Sequence, residues 1–119
     1  MGDLSKHFSI HEFACGCGCG FNAPDPELLH RLELARKDAG IPFFITSGCR
    51  CEKHNKDVGG AINSAHVTGC AVDIQSHHGT HRYVLVRSLM RFFTRIGIGK
   101  NFIHVDCDET KPSPSMWVY

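Results

Sequence analysis

Two short segments place the strongest restriction on how this chain can fold. Residues 64–73 contain His66 and Asp73, and residues 102–106, farther along the chain, contain His104 and Asp106. A catalytic zinc site takes three protein ligands, usually imidazoles or carboxylates, and keeps a fourth position for water. We therefore predict that His66, Asp73 and His104 bind one zinc ion, and that the fold brings the two segments together.

The composition is typical of one ordinary globular domain. The chain has 119 residues, of which 42% are hydrophobic and 21% charged, so we expect a single domain over residues 1–119. The formal net charge is +1, which gives no strong field to steer nucleic acid or a membrane surface. No apolar run approaches the ~20 residues that cross a bilayer. We predict a monomer with no nucleic-acid partner and no membrane insertion.

The N-terminal residues and the cysteines indicate the cellular compartment. Residues 1–7 lack a basic segment followed by an apolar stretch, so we expect no signal peptide and synthesis in the cytoplasm. A substrate outside the cell would then be reached by another route of release. The chain has seven cysteines, and clustered cysteines in a cytoplasmic protein bind metal more often than they form disulfides.

Local patterns predict an α+β fold in which a small antiparallel sheet of three or four strands packs against helices. The clearest helix begins after Asp25, a good N-cap followed by Pro26, and ends at Gly40. A second long helix is predicted over residues 80–96, with Thr80 as its N-cap. Further elements are a short buried strand over 42–46, a short helix over 52–58, and strands over 70–74 and 102–107. Residues 1–24 are predicted to be irregular and pinned to the core by Phe8, Ile10 and Phe13.

Side-chain alternation places the candidate ligands on defined faces. In a strand, Asp73 points away from Val72 and Ile74, and His104 shares a face with Asp106. Burying a lone carboxylate costs several kcal/mol unless a cation or donor compensates it, and zinc would compensate Asp73. On the second long helix, four arginines at spacings of four or five are predicted to form a solvated stripe: Arg82, Arg87, Arg91 and Arg95.

Three segments together resemble a known family. Residues 64–73 resemble the Ser-x-His-x-x-Gly-x-Ala-x-Asp signature of the zinc D-Ala-D-Ala carboxypeptidases, a superfamily that also includes L-Ala-D-Glu endolysins of phages and the hedgehog signalling domain. Residues 45–50, followed by His54 and Asn55, resemble its Ser-Gly-Tyr-Arg loop, with Cys49 in place of the tyrosine. Residues 102–106 resemble the third-ligand strand of the short, phage-type branch. The resemblance runs from about Phe8 to Trp117 and implies a hedgehog/DD-peptidase-like fold.

The resemblance implies roles for individual residues. His66, Asp73 and His104 correspond to the zinc ligands, and Arg50 to a residue that binds substrate and stabilises the oxyanion. Ser64 would bind the substrate peptide or hold the ligand loop, and Trp117 would wall the cleft. The implied activity is hydrolysis of a peptidoglycan stem peptide by metal-activated water, as a carboxypeptidase or as an endolysin-type endopeptidase. Such an enzyme acts on the cell wall when it is released from a phage-infected or bacterial cell.

The general base stays open at this stage. Many relatives have an acid three residues before the third histidine, where this chain has Asn101, which cannot take a proton. Asp106 is the nearest candidate for the base, or else it binds the second ring nitrogen of a ligand histidine. Asp108 and Glu109 are weaker alternatives, since a charged turn explains them as well.

The cysteines leave a second choice open. Cys15, Cys17, Cys19 and Cys51 either hold a structural zinc ion or form two disulfides that tie the N-terminal segment to the loop after Arg50. Cys49, Cys70 and Cys107 lie near predicted strands and are expected to pack as small apolar groups.

Two other function classes remain at this stage. Asn101 favours a non-catalytic zinc module of the same fold that binds the cell wall or a protein. A zinc-stabilised interaction domain built on the cysteines, with the histidines incidental, is the third.

Overall fold

The computed structural model describes residues 4–119. Met1, Gly2 and Asp3, which begin the segment where we expect no signal peptide, lie outside the described residues. The chain forms a short 3-10 helix, three α-helices and five strands within that range. In chain order these are the 3-10 helix Ile10–Phe13, α1 Pro26–Ala39, β1 Ile45–Ser47, α2 Glu52–Asp57, β2 Ala71–Gln75, α3 Gly79–Phe92, β3 Arg95–Ile98, β4 Phe102–Asp106 and β5 Ser115–Val118.

The strands form one sheet in the order β1-β2-β4-β3-β5. Every neighbouring pair is antiparallel except β3 and β5, which run parallel. The predicted α+β class with a small antiparallel sheet is therefore confirmed, and the parallel pairing of β5 with β3 departs from it. The sheet has five strands rather than three or four, because residues 95–98 and 115–118, outside the predicted strands, form β3 and β5.

Helix α1 has the boundaries that its sequence signals predict. The Asp25 side chain accepts a hydrogen bond from the Glu27 backbone N–H at 2.8 Å, Pro26 occupies the first turn, and Gly40 is the C-cap. These signals act within one turn of the helix, so tertiary contacts change them little. Short helix α2 likewise lies within the predicted 52–58 segment.

Helix α3 differs from its prediction at both ends. Its N-cap is His78, whose side chain accepts from the His81 backbone N–H, rather than Thr80. The helix ends at Phe92, and residues 95–96, predicted to be helical, lie in β3. Pairing of β3 with both β4 and β5 satisfies that backbone and overrides the helical pattern. Arg95 is consequently buried, so its assignment to a solvated stripe is wrong.

Two other local predictions are corrected. The strand predicted over 42–46 begins only at Ile45, lies at the sheet edge, and has partly or largely exposed residues. Pro42 lacks a backbone donor, which disfavours a strand at that point. Phe8 and Phe13 lie in the core as predicted, but Ile10 is 39% exposed.

The two faces of the sheet have different chemistry. One face carries Val72, Ile74, Ile103 and Val105, all fully buried in a core that includes leucines of α1 and α3. On the other face, register aligns residues of all five strands in one row. Cα partners pair Ser47 with Asp73, Asp73 with His104, His104 with Gly97, and Gly97 with Trp117. This row is where the candidate ligands meet.

Among residues 4–119, no helix combines the length and apolar character that a bilayer crossing requires.

Candidate metal centre

The structure brings the three predicted zinc ligands to one buried point. Asp73 and His104 are partners on adjacent strands β2 and β4, and Asp73 Oδ1 lies 2.9 Å from His104 Nδ1. His66 comes from the loop between α2 and β2, and its Nε2 lies 3.1 Å from the same Oδ1. One ligand atom from each residue lies within 4.8 Å of the others. The three residues are between 2% and 8% exposed.

The orientation of His66 is set by a backbone carbonyl. Its Nδ1 lies 2.7 Å from the Gly48 oxygen, and because a carbonyl can only accept, Nδ1 carries the proton. The lone pair of a neutral His66 is therefore on Nε2, the atom that faces Asp73. Gly48 stays in place because the next residue, Cys49, donates its N–H to the Phe13 carbonyl at 2.9 Å.

The orientation of His104 is set by a buried carboxylate. Its Nε2 lies 2.7 Å from Asp106 Oδ2, which leaves Nδ1 to face Asp73. Asp106 Oδ1 accepts in turn from Arg95 Nε at 2.7 Å, and the Asp106 side chain is 1% exposed. A ligand histidine whose other nitrogen is tied to a carboxylate is the usual arrangement at protein zinc sites. Arg95, Asp106 and His104 thus form a continuous chain of hydrogen bonds that ends at the candidate metal point.

The electrostatics of the centre favour a cation. Burial raises the pKa of Asp73, but the imidazoles of His104 and His66, when they are protonated, donate hydrogen bonds that outweigh burial and hold the pKa well below its usual range. Burial lowers the pKa of His104, whereas Asp106 and Asp73 raise it to a net value above the ordinary one. Burial also raises the pKa of Asp106, and His104 and Arg95 more than reverse that effect. The carboxylates are therefore ionised around the imidazoles.

A zinc ion fits this donor set. Both far nitrogens act as hydrogen-bond donors, so two imidazole lone pairs and a carboxylate oxygen converge on one point. These electron pairs repel one another, and only a proton or a metal cation between them relieves the repulsion. Tetrahedral zinc with bonds near 2.0–2.2 Å separates its ligand atoms by about 3.3 Å. The separations of 2.9 and 3.1 Å from Asp73 Oδ1 are close to that spacing.

Arg50 is held against the same carboxylate. Its Nη2 lies 3.3 Å from Asp73 Oδ2, its Nε donates to Ser47 Oγ at 3.0 Å, and its Nη1 donates to Asn55 Oδ1 at 3.1 Å. Gly60 packs directly over this group, because a Cβ there would lie 2.0 Å from Asn55 Oδ1. The guanidinium is therefore fixed beside the metal point.

A cleft of about 240 Å³ opens above the centre. Its lining residues are Arg50, Val58, Gly59, Gly60, Ala61, Ser64, His66, Asp73, Phe102, His104 and Tyr119. Ser64 also accepts a hydrogen bond from the His66 backbone N–H at 3.2 Å, so it contacts both the cleft and the ligand loop.

The aromatic wall differs from the predicted one. Tyr119 lines the cleft, whereas Trp117 lies behind it, with its ring 5.6 Å from that of His104 and 4.8 Å from the Arg95 guanidinium carbon. Gly97 makes room for this pair, since a Cβ there would lie 2.5 Å from Trp117 Nε1 and 2.7 Å from Tyr119.

Three further residues near the third ligand in the chain bear on the identity of the general base, namely Asn101, Asp108 and Glu109. Asn101 is exposed, and its backbone oxygen accepts from Ser76. Asp108 binds Thr110 and Lys111, and these bonds overcome the effect of burial and lower its pKa to about 2. Neither these residues nor the exposed Glu109 line the cleft.

Sequence reasoning missed Arg95, Gly97 and Tyr119. The arginine spacing places Arg95 in the predicted helix over residues 80–96, and Gly97 is the residue that follows this helix. The alternation of Arg95, Gly97 and Gly99 with Ile96 and Ile98 is a period-two signal that could have indicated a strand.

A second group of potential metal ligands consists of Cys15, Cys17, Cys19 and Cys51. Among the remaining cysteines, Cys49 is buried, and Cys70 and Cys107 are half-buried. Burial is the main cause that raises the pKa of Cys107 to about 12. Outside the candidate metal centre, His7 binds Glu33 through Nδ1 at 2.6 Å.

Comparison with known proteins identifies a family. The family model described as peptidase M15 matches residues 6–106, which include Arg50 and all three candidate ligands. A search of curated proteins finds no match.

Proposed function

Since the chain belongs to the peptidase M15 family, we propose that it is a zinc-dependent peptidase that hydrolyses stem peptides of peptidoglycan. Family membership supports a metallopeptidase, and the His66, Asp73 and His104 group supports a metal centre. The substrate rests on the likeness of residues 64–73 to the D-Ala-D-Ala carboxypeptidase signature and of residues 102–106 to its short, phage-type branch. Action on the cell wall after release from the cell follows from that substrate.

One observation carries the proposal. Both candidate ligand histidines have their far nitrogen bound to a fixed acceptor, Gly48 in one case and Asp106 in the other. Their near nitrogens therefore converge with Asp73 Oδ1 at the floor of a cleft, beside a fixed arginine. When bound there, zinc would supply Lewis-acid polarisation of the scissile carbonyl and activation of a water molecule.

Arg50 has the position of an oxyanion and substrate ligand. Its three hydrogen bonds use one N–H on each nitrogen, whereas a guanidinium carries five N–H groups. The two remaining N–H groups are available to a substrate carbonyl or carboxylate oxygen in the cleft. A fixed positive group that costs no reorganisation is worth most where charge develops during the reaction.

Asp106 acts as a positioning residue in this proposal, rather than as the general base. Both of its oxygens are engaged, by His104 and Arg95, and it does not line the cleft. Its role is to keep the Nε2 proton on His104 and so direct Nδ1 to the metal. Arg95 holds Asp106 in the ionised form that this role requires.

The cleft suits a slender peptide. Its rim carries Gly59, Gly60 and Ala61, which leave the backbone accessible, and Val58 and Tyr119 give it an apolar border. Ser64 is placed to bind a substrate amide or to hold the ligand loop, and Trp117 supports Tyr119 from behind.

The experiment is digestion of purified cell wall and of synthetic stem peptides by the zinc-loaded protein, with mass analysis of the products. We expect release of D-Ala, or new termini within the stem peptide, and loss of both in His66→Ala. Arg50→Lys keeps the charge but loses the fixed fork, and should lower kcat/KM by about 10²-fold without loss of zinc. Arg87→Lys, at an exposed position of α3, is the matched control.

A non-catalytic zinc module of the same fold is the second candidate. Asn101 and the enclosed Asp106 favour it, because no acidic residue among residues 4–119 lines the cleft beyond the candidate ligand Asp73. A zinc-loaded protein that binds cell wall in a sedimentation assay but yields no product would support this candidate against the peptidase.

A further inference from the structure

Four thiols meet on the side of the protein where the N-terminal segment contacts the start of α2. Cys15, Cys17 and Cys19 come from the loop before α1, and Cys51 is the N-cap of α2. We call these four residues the thiol cluster. Its sulfur atoms all lie within 4.8 Å of one another, and none of the four residues lines the cleft.

The sulfur atoms are spaced as in a tetrahedral thiolate site. The Sγ atoms of Cys15, Cys17 and Cys51 form a triangle with sides of 3.4, 3.6 and 3.9 Å. Zinc–sulfur bonds of about 2.3 Å in tetrahedral geometry separate sulfur atoms by about 3.8 Å. Two disulfides would divide the four sulfurs into two close pairs, whereas Cys17 lies about as near to Cys51 as to Cys15. The near-equal spacing favours a shared central ion.

Backbone groups around the cluster favour thiolates. The Cys51 N–H points to Cys15 Sγ at 3.4 Å, and the His54 N–H points to Cys51 Sγ at 3.4 Å. Such N–H donors stabilise negative charge on sulfur. The loop can curl around one point because Gly18 and Gly20 have φ angles of 78° and 93°, which favour glycine. The Gly18 N–H closes this curl on the Cys15 carbonyl at 3.1 Å.

The cluster lies next to the residue that the proposed function uses. Cys51 directly follows Arg50, and α2, which Cys51 caps, supplies Asn55 to the Arg50 guanidinium. An ion held by Cys15 and Cys51 would therefore link the N-terminal segment to the residue that follows Arg50. It would also link that segment to helix α2, which binds the Arg50 guanidinium through Asn55. The ion would thus fix the loop that carries Arg50 in place of a long helix or strand.

We propose that Cys15, Cys17, Cys19 and Cys51 bind a structural zinc ion as a tetrathiolate, separate from the His66, Asp73 and His104 centre, and that this ion fixes the start of α2. On binding, the four thiols release their protons and four zinc–sulfur bonds form, with no change in oxidation state. The site does not depend on the proposed function, since its existence requires no peptidase activity.

Zinc content of the His66→Ala variant tests the site while all cysteines remain in place. The variant is produced in zinc-supplemented cells, freed of any affinity tag, and analysed for metal and by X-ray absorption. We expect one zinc ion per chain with a sulfur shell at about 2.3 Å, and a second ion in the wild-type protein. No zinc, zinc bound only by nitrogen and oxygen, or a mass deficit of two disulfides in the purified chain would overturn the proposal.

Removal of one sulfur tests the structural role. Cys17→Ser, at an exposed position, should lose one zinc ion and accelerate backbone hydrogen exchange in residues 48–57 by at least about tenfold. Cys70→Ser, outside the cluster, should change neither and is the matched control. Unchanged zinc content in Cys17→Ser would contradict the tetrathiolate. If that variant does not fold, the His66→Ala measurement decides the question, and peptidase activity enters neither readout.

Discussion

The two nitrogens of His104 face two carboxylates with different tasks. Asp73 lies on the Nδ1 side at 2.9 Å and Asp106 on the Nε2 side at 2.7 Å. Only Asp73 lines the cleft, while Asp106 is enclosed with Arg95. A single ring therefore connects the candidate metal point to a buried ion pair, and the separation of roles between the two aspartates can be measured.

Replacing Asp106 by asparagine should weaken zinc binding more than it damages the chemistry. The amide cannot supply a negative charge to both His104 and Arg95, so the His104 ring loses its fixed orientation. We expect zinc affinity to fall by about 10- to 100-fold, as for other residues that support metal ligands. Chelator competition measures the affinity, and turnover at saturating zinc should recover most of its value.

The matched control is Asp108→Asn, because Asp108 makes its side-chain bonds in the following turn. Wild-type zinc affinity in Asp106→Asn, together with a hundredfold loss of turnover at saturating zinc, would identify Asp106 as the general base instead.

At the scale of elements, the site is a row across the sheet rather than a property of one strand. Neighbouring strands pair Asp73 with His104, His104 with Gly97, and Gly97 with Trp117. His66 and Arg50 approach this row from loops, and the Arg50 backbone N–H donates to the His66 carbonyl at 3.0 Å. The sheet thus fixes two candidate ligands, and loop-to-loop bonds align the rest.

Adding a methyl group at Gly97 should displace the aromatic wall. In Gly97→Ala the new Cβ would lie 2.5 Å from Trp117 Nε1, so the ring must move away from His104. We expect a shift in tryptophan fluorescence, for which Trp117 is the single source, and a rise in KM with unchanged zinc content. Overpacking of this kind costs about 1–3 kcal/mol of stability.

Gly79→Ala is the control for that substitution, since a Cβ at Gly79 meets nothing within 4 Å. Identical fluorescence and KM in the Gly97 and Gly79 variants would contradict the role assigned to the wall.

The N-terminal segment should detach from α1 in acid. Glu33 accepts from the His7 backbone N–H at 2.7 Å and binds His7 Nδ1 at 2.6 Å. Burial raises the pKa of Glu33, but the bonds from Ser5 and His7 outweigh it and lower the pKa from 4.5. Because the folded pKa is below the unfolded one, the stabilisation is present above pH 4.5 and is lost as pH falls through the folded value. Hydrogen exchange of residues 4–9 should therefore accelerate over that range.

Glu33→Gln removes the titrating group and should abolish this pH dependence while it accelerates exchange at neutral pH. The same acid-dependent acceleration in both proteins would assign the effect to another group.

At the scale of the whole molecule, the two long helices and the candidate metal centre lie on opposite faces of one sheet. Helices α1 and α3 cover the apolar face, and loops leave the polar row open to a cleft. The radius of gyration is 13.2 Å, close to the roughly 13.5 Å expected for a compact chain of this length. A single core therefore supports the site from behind.

We expect the protein to be a monomer. The two edge strands, β1 and β5, have three and four residues, and short edges disfavour pairing between molecules. Light scattering after size-exclusion chromatography should give the mass of one chain at all accessible concentrations. Val118→Lys, on edge strand β5, should elute identically. A concentration-dependent dimer that this substitution dissociates would contradict the expectation.

Local signals in the chain were enough to predict the bounds of α1 and to select the three residues that are the candidate ligands. Asp25, Pro26 and Gly40 act on adjacent backbone groups, and the segment with His66 and Asp73 is short enough to be recognised as a unit. The roles of Arg95 and Tyr119 and the spacing of the thiol cluster came from the fold. Strand pairing converts a helical arginine spacing into a buried ion pair with Asp106, and no local pattern contains that partner. Contacts between distant residues depend on register and loop closure, which a linear pattern does not specify.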